Sequence, residues 1–175
     1  MSVSTIDSTD FGQLEPYRRA LTGYCYRMLA SPFDAEDAVQ ETFVRAWRAL
    51  DRFEDQGGMR PWLYRIAHNE AYSMFRKRRP ESDIADLEPE GTDTGITVGG
   101  SSVFPLELSL AVAGALKQLS PEQREAVVLK IYQGFKFEEM AEILSCPVST
   151  VKSRLYAAFE LLKTELAPIK ARGVS

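Results

Sequence analysis

The sequence is poor in the residues that build metal centres and disulfide frameworks. Its 175 residues include two cysteines, Cys25 and Cys146, and a single histidine, His68. One histidine and two distant cysteines cannot form the Cys/His cluster of a structural zinc site. Two thiols in apolar surroundings are typical of a reduced, cytoplasmic protein in which both are buried. We therefore expect no metal, no cofactor and a cytoplasmic location.

Long hydrophobic runs are also missing. No apolar stretch approaches the ~20 residues that a membrane-spanning helix requires, although hydrophobic residues make up 45% of the chain. The N-terminus has no basic segment followed by an apolar one, so we expect neither a signal peptide nor membrane insertion. A chain of this length accommodates one ordinary domain or two small ones.

Positive charge is absent from one long segment. Residues 80–109 contain seven Asp/Glu and no Lys or Arg, whereas residues 60–79 contain six Lys/Arg and one acid. The formal net charge of −4 therefore conceals a basic block followed by an acidic one, and it does not exclude nucleic-acid binding. Residues 80–105 are also rich in Pro, Gly, Ser and Thr, which predicts a flexible acidic linker. Its acidity serves either solubility or entry into a channel built for a polyanion.

Apolar residues recur at helical spacing elsewhere, which predicts an all-α protein. In the first half we predict helices at residues 11–30, from an N-cap at Asp34, and at residues 61–79, packed as a small bundle. The third helix is predicted to carry on its outer face Tyr64, Arg65, His68, Asn69, Tyr72 and Arg76. Rings stack on unpaired bases and cations hold phosphates, so this face indicates a site for single-stranded nucleic acid. The alternative is a solvated helix whose basic end complements its macrodipole.

The second half predicts a helix-turn-helix. After helices at residues 106–119 and 120–132, a short helix at 137–144, a break at 145–147 and a longer helix from Ser149 have that layout. The outer face at the start of the longer helix carries Ser149, Thr150, Lys152, Ser153, Arg154 and Tyr156. These side chains suit base edges and phosphates of a major groove. An ordinary helical hairpin would share the same apolar pattern.

The sequence shows no catalytic constellation. An enzyme acting on nucleic acid would need clustered carboxylates for metal ions, or a nucleophile with its base. The nearest carboxylates, Glu138, Glu139 and Glu142, lie on the solvated side of the short helix. We expect no enzymatic activity.

Three segments together carry a resemblance to a known family. They are DAEDAVQETFVRAWRALDRF, RPWLYRIAHNEAYSMFRKRR and LSPEQREAVVLKIYQGFKFEEMAEILSCPVSTVKSRLYAA. In this order they resemble the extracytoplasmic-function (ECF) group of the bacterial sigma-70 family. The resemblance implies a sigma-2 domain at residues 8–79, the linker at 80–105 and a sigma-4 domain at 106–170. It implies an alternative sigma factor that binds core RNA polymerase and directs promoter-specific transcription initiation.

The same resemblance implies roles for individual residues. It implies that Asp37, Gln40 and Glu41 bind the β′ coiled coil of the polymerase. The residues that it implies for melting and capture of the −10 element are Phe53, Arg60, Trp62, Tyr64, Arg65, Asn69, Arg76 and Lys77. Those that it implies for reading the duplex −35 element are Ser149, Thr150, Lys152, Ser153, Arg154 and Tyr156. Ala157 stands where many relatives carry a basic residue, which leaves the −35 sequence open.

The partners follow from the same comparison. Besides the β′ coiled coil, the resemblance implies contact between residues 116–128 and the β-flap. We expect control by a separate anti-sigma factor rather than by a fused sensory domain. The alternative function is a free-standing helix-turn-helix regulator that acts on duplex DNA without polymerase.

Overall fold

The structure, a computed structural model, describes residues 12–54, 57–78 and 106–173, and every regular element that these residues form is helical. The chain divides into two compact units, Met1–Glu90 and Gly91–Ser175. This confirms the prediction of two small helical domains.

The predicted linker, residues 80–105, lies outside the described residues. None of the helices in the described residues is long and apolar enough to cross a membrane.

The first unit is a bundle of three helices that pack against one another. They are α1 (Arg18–Leu29), α2 (Pro32–Ala49) and α3 (Met59–Lys77), and short 3-10 turns at Glu15–Tyr17 and Leu50–Arg52 precede α1 and follow α2. The largest side chains of its core are Leu14, Leu21, Tyr24, Met28, Leu29, Phe43, Leu63 and Tyr64. Burying a side chain of this size contributes about 1.5–3 kcal/mol, so contacts among the three helices hold the unit together.

The junction of α1 and α2 differs from the predicted one. Ala30 ends α1 in a left-handed conformation (φ 56°) and its N–H donates to the Tyr26 carbonyl at 2.8 Å. Ser31, not Asp34, caps α2, because the Ser31 hydroxyl accepts the Asp34 N–H at 3.3 Å. Pro32 fits the first turn, where its missing N–H would have had no intrahelical partner. The prediction of Asp34 as N-cap is therefore wrong, and Asp34 lies in the first turn.

The second unit packs its helices on one long helix. It contains α4 (Leu106–Gln118), α5 (Pro121–Val127) continued by a π-helical segment (Val128–Tyr132), α6 (Phe137–Leu144) and α7 (Val148–Gly173). Helices α4, α5 and α6 each contact α7. The buried core includes Leu116, Leu119, Val127, Leu129, Phe135, Met140, Ile143, Val151, Leu155 and Ala158.

Local hydrogen bonds define the ends of these helices. The Ser120 hydroxyl accepts the Gln123 N–H and the Gln123 side chain accepts the Ser120 N–H, both at 3.2 Å, which confirms the predicted N-terminus of α5. Gly134 follows the π-helical segment with φ +71°, a conformation that glycine adopts without strain. Ser145 ends α6 with φ 52°, so the predicted break between α6 and α7 is confirmed, although a non-glycine residue makes the left-handed turn.

Candidate nucleic-acid interface

One side of α3 forms an outward row of side chains. Trp62, Arg65, Asn69, Tyr72 and Arg76 follow one another at steps of three and four, which places them on one side of the helix. Arg65, Asn69 and Arg76 are exposed, while Trp62 and Tyr72 are half-buried. The structure therefore brings four of the predicted −10 residues, Trp62, Arg65, Asn69 and Arg76, onto a single accessible surface.

An aromatic pair stands at the N-terminal end of this row. The ring centroids of Phe53 and Trp62 lie 4.7 Å apart with their planes inclined at 41°. Both side chains are half-buried, so each ring keeps part of its surface open to solvent. Stacking of a base on an exposed aromatic ring is worth about 1–3 kcal/mol. The pair is thus a place where an unpaired base can stack.

The outward side of α3 is cationic because the helix turns its only acid inward. That acid, Glu70, is 8% exposed, and its carboxylate accepts from Arg45 Nε of α2 at 2.5 Å. Arg65, Arg76 and Lys77 are exposed. These cations therefore face solvent beside no carboxylate from their own helix, which suits a polyanionic ligand.

Tyr64 does not belong to this surface. Its side chain is fully buried, and its ring meets Tyr24 edge-on with centroids 5.4 Å apart. Burial raises the pKa of Tyr64 well above its usual range, although the nearby Arg60 opposes the shift. Helix α3 packs against both α1 and α2, so its buried side is wider than the single predicted stripe and includes Tyr64. The prediction that Tyr64 lies on the exposed side is wrong.

Arg60 occupies the edge of the outward surface. Its guanidinium carbon lies 5.8 Å from the centroid of the Tyr64 ring, and the side chain is half-buried. A cation at this distance from a ring is weakly attracted to it. Arg60 therefore combines contact with the core and partial access to solvent.

The predicted docking residues lie on the outer side of α2. Asp37 and Gln40 are exposed, and Glu41 is half-buried. The Glu41 carboxylate lies 3.3 Å from Arg45 Nε, so it shares this arginine with Glu70. Asp37 and Gln40 thus present an accessible polar surface, and Glu41 sits at its edge in an ion pair.

The second unit presents the start of α7. Val151 and Leu155 are buried, which fixes the rotation of α7 against the rest of the unit. Because these two side chains point inward, the opposite side of the helix faces solvent. The exposed predicted residues are Ser149, Lys152, Ser153 and Tyr156, whereas Thr150 and Arg154 are half-buried. The first three turns of α7 thus display a polar surface with one exposed cation, Lys152.

Comparison with known proteins places these features in a family. Residues 14–81 match the family model for Sigma-70 region 2, and residues 109–162 match that for Sigma-70 region 4. The ECF RNA polymerase sigma-E factor of Escherichia coli K12 is 36% identical over 147 residues, which cover 79% of this chain and 77% of the relative. The ECF RNA polymerase sigma factor SigW of Bacillus subtilis is 34% identical over 160 residues, covering 86% and 84%.

The chain belongs to the extracytoplasmic-function group of the sigma-70 family.

Solved structures of sigma factors agree with this family assignment. The Bartonella quintana sigma factor RpoE, in complex with the anti-sigma factor NepR, has 34% identity and a TM-score of 0.70, covering 90% of this chain and 97% of its own. CnrH, in complex with the cytosolic domain of CnrY, has 30% identity and a TM-score of 0.66, covering 90% and 88%.

An ion pair at the end of α3 in this sigma factor was not predicted from the sequence. Arg78 donates to an Asp34 carboxylate oxygen, and also to the Leu29 carbonyl at 2.8 Å. Its side chain is 23% exposed, so this cation of the basic block stabilises the fold and is largely withdrawn from the surface. The contact joins residues 44 positions apart, and no local sequence pattern reports such a pair.

The two cysteines of the sigma factor lie in different environments. Cys25 is buried, as predicted. Cys146 is half-buried, so the prediction that both thiols are buried is wrong for Cys146. Burial, together with the charge of Glu70, raises the pKa of the Cys25 thiol to about 12. Cys146 sits in the turn between α6 and α7, where less of the chain covers it. Among the described residues, no group of three His, Cys, Asp or Glu side chains is arranged to hold a metal ion.

Proposed function

We propose that the protein is an alternative sigma factor that binds bacterial core RNA polymerase in the cytoplasm and directs promoter-specific initiation. The observation that carries the proposal is the outward side of α3, where the Phe53–Trp62 aromatic pair and exposed cations lie and from which the only acid of the helix is turned away. Such a surface binds an unpaired strand by stacking and phosphate contacts. The sigma factor supplies this specificity, and the polymerase supplies the chemistry.

The −10 element is assigned to the first unit. Flipping one base out of a duplex costs a few kcal/mol of stacking energy. The half-exposed rings of Phe53 and Trp62 and the exposed amide of Asn69 can return part of that energy to a captured base. Arg65 and Arg76 lie further along the same side and are placed to hold phosphates of the melted strand. Arg60 and Lys77 extend the cationic surface at its two ends, and the buried Tyr64 has no part in it.

The −35 element is assigned to the start of α7. Lys152, Ser153 and Tyr156 lie on its exposed side, where side chains of a recognition helix meet base edges. Ser149 at the helix start is placed for a phosphate contact. The half-buried Thr150 and Arg154 flank the same surface; for Arg154 we propose a phosphate contact or a packing role.

Protein partners are assigned to the outer side of α2 and to the second unit. We assign Asp37, Gln40 and Glu41 to docking on the β′ coiled coil, and residues 116–128 to the β-flap. Because RpoE of Bartonella quintana was solved with the anti-sigma factor NepR, we extend to this chain control by a separate anti-sigma factor.

The first experiment is a pull-down of the purified protein with core polymerase, followed by run-off transcription from a promoter library. We expect a stable complex that initiates from a restricted set of promoters and hence reveals both promoter elements. Tight binding to duplex DNA without any affinity for core polymerase would contradict the proposal, since a free-standing regulator behaves in that way.

Charge reversal separates docking from DNA recognition. Asp37→Lys is expected to weaken core binding, while Gln13→Lys, at an exposed position outside every proposed surface, leaves core binding unchanged. Equal core affinities for the two variants would remove Asp37 from the docking surface.

A further inference from the structure

Two lysine ammonium groups share one aromatic ring in the helix-turn-helix. Lys130 Nζ lies 4.4 Å, and Lys152 Nζ 5.3 Å, from the centroid of the Phe137 ring. Phe137 opens α6, Lys130 belongs to the π-helical segment and Lys152 belongs to α7, so one ring connects three elements. A cation within about 6 Å of a ring centroid is attracted by the quadrupole of the ring.

The fold fixes the ring. Phe137 is half-buried at the first position of α6. Immediately before it, the Lys136 N–H donates to a Glu139 carboxylate oxygen at 2.9 Å, which holds the start of the helix. The start of α6, which carries the ring, is therefore held in place, and the ring lies within reach of Lys152 of α7.

The nearer lysine is fixed as well. Lys130 is half-buried, and its ammonium group donates to the Phe135 carbonyl at 3.1 Å in addition to lying over the Phe137 ring. Lys152, in contrast, is exposed and lies farther from the same ring. Since like charges repel, the anchored Lys130 disfavours a closer approach of Lys152 to the ring, and Lys152 remains exposed.

We infer that Phe137 is a positioning residue that holds Lys152 ready for its promoter contact. An exposed lysine side chain loses rotamer freedom when a ligand orders it. Contact with the Phe137 ring restricts Lys152 before DNA arrives, so binding orders the side chain at a smaller entropic loss. Phe137 needs no contact with DNA for this role. The inference rests on the proposed reading of the −35 element by α7.

The test measures the contribution of the −35 element to promoter binding. For each variant, reconstituted holoenzyme is titrated against a promoter selected by the library, with its −35 element either intact or scrambled. The ratio of the two affinities is the −35 contribution. The variants are Phe137→Leu, which removes the π face, Phe137→Tyr, which keeps it, Lys152→Ala, and the double variant Phe137→Leu/Lys152→Ala.

We expect Phe137→Leu to lower the −35 contribution about two- to tenfold, the range that a cation–π contact supports. Phe137→Tyr should retain the wild-type ratio. Phe137→Leu should have little further effect once Lys152 is alanine, because the ring then has no such side chain to position. Thermal unfolding of each variant checks folding, and Phe137→Met replaces Phe137→Leu if the leucine variant does not fold.

Several results would overturn the inference. An unchanged ratio for Phe137→Leu would show that the ring has no influence on −35 binding. Equal losses for the leucine and tyrosine variants would indicate a packing role alone, as would losses that add in the double variant. If wild-type holoenzyme makes no distinction between intact and scrambled elements, or if Lys152→Ala changes nothing, the proposed −35 function itself fails and the inference with it.

Discussion

Arg45→Ala is expected to destabilise the first unit, because it deprives the buried Glu70 carboxylate of its cation. The two side chains meet at 2.5 Å, with the Glu70 side chain 10% exposed and the Arg45 side chain 59% exposed. Removing one partner of a fully buried pair costs about 3–5 kcal/mol. Solvent at the arginine end screens this pair, so we expect a loss of about 1–3 kcal/mol. The second ion pair of Arg45, with the 46% exposed Glu41 side chain, adds little because it is solvated.

Tryptophan fluorescence isolates the response of the first unit. The chain contains two tryptophans, Trp47 in α2 and Trp62 in α3, so their emission during guanidinium unfolding reports this unit and not the second. In a unit of this size, a loss of 1 kcal/mol lowers the melting temperature by about 4–8 °C. The matched control is Arg48→Ala, at an exposed arginine of the same helix, for which we expect a change within about 0.5 kcal/mol.

A double-mutant cycle shows whether the effect belongs to the pair. Glu70→Gln removes the buried charge, so Arg45→Ala should cost less in the Glu70→Gln background than in the wild type. We expect a coupling free energy of about 0.5–3 kcal/mol. A coupling of zero, or an Arg45→Ala effect no larger than that of Arg48→Ala, would refute the view that this ion pair compensates the inward-turned acid.

Further predictions concern the core, the thiols and the turn before α7. Tyr64→Ala should destabilise the first unit by about 3–5 kcal/mol. Arg65→Ala should change the stability of this unit by no more than about 0.5 kcal/mol, but it should weaken binding of holoenzyme to single-stranded −10 DNA. The reverse pattern would contradict the buried position of Tyr64 and the exposed position of Arg65. Iodoacetamide at about pH 8 should label Cys146 and spare Cys25, with mass spectrometry locating the label and denatured protein as control. The fold raises the pKa of Cys25 from 9.0 to about 12. The contribution of the protonated thiol to stability is therefore complete below pH 9 and falls as the pH rises toward 12. If the free energy of unfolding of Cys25→Ala fell with alkaline pH as steeply as that of the wild type, this would count against the prediction. Ser145→Val should destabilise the second unit by roughly 1–2 kcal/mol, since a β-branched residue is strained in the left-handed turn, while Ser145→Gly should not, as the thermal transition of that unit would show.

Local signals explain which features of the fold were predictable. The N-terminus of α5 follows from Ser120 and Gln123, because a capping box needs only four consecutive residues. The bounds of α6 followed in the same way from its apolar spacing and the break after it. In these places the information lies within one turn of the chain, and the structure agrees with the prediction.

Long-range packing explains the error at Tyr64. Tyr64 is compatible with either side of a helix, since its ring is apolar and its hydroxyl is polar, and only contact of α3 with both neighbours buries it. The inward orientation of Glu70 depends on Arg45 from another helix, and the partly buried position of Arg78 depends on its ion pair with Asp34. The cationic character of the outward row of α3 was therefore visible in the sequence, but the reason that no acid interrupts it was not.

Permanganate footprinting of the −10 element tests the central claim most directly. Holoenzyme formed with wild-type protein should render thymines of the −10 element reactive at its selected promoters. Holoenzymes carrying Phe53→Ala or Asn69→Ala should form normally and bind the promoter, yet lose most of that reactivity. Unchanged thymine reactivity in both variants, or a loss that arises because they no longer bind core polymerase, would contradict the account of α3 as the surface that captures the melted strand.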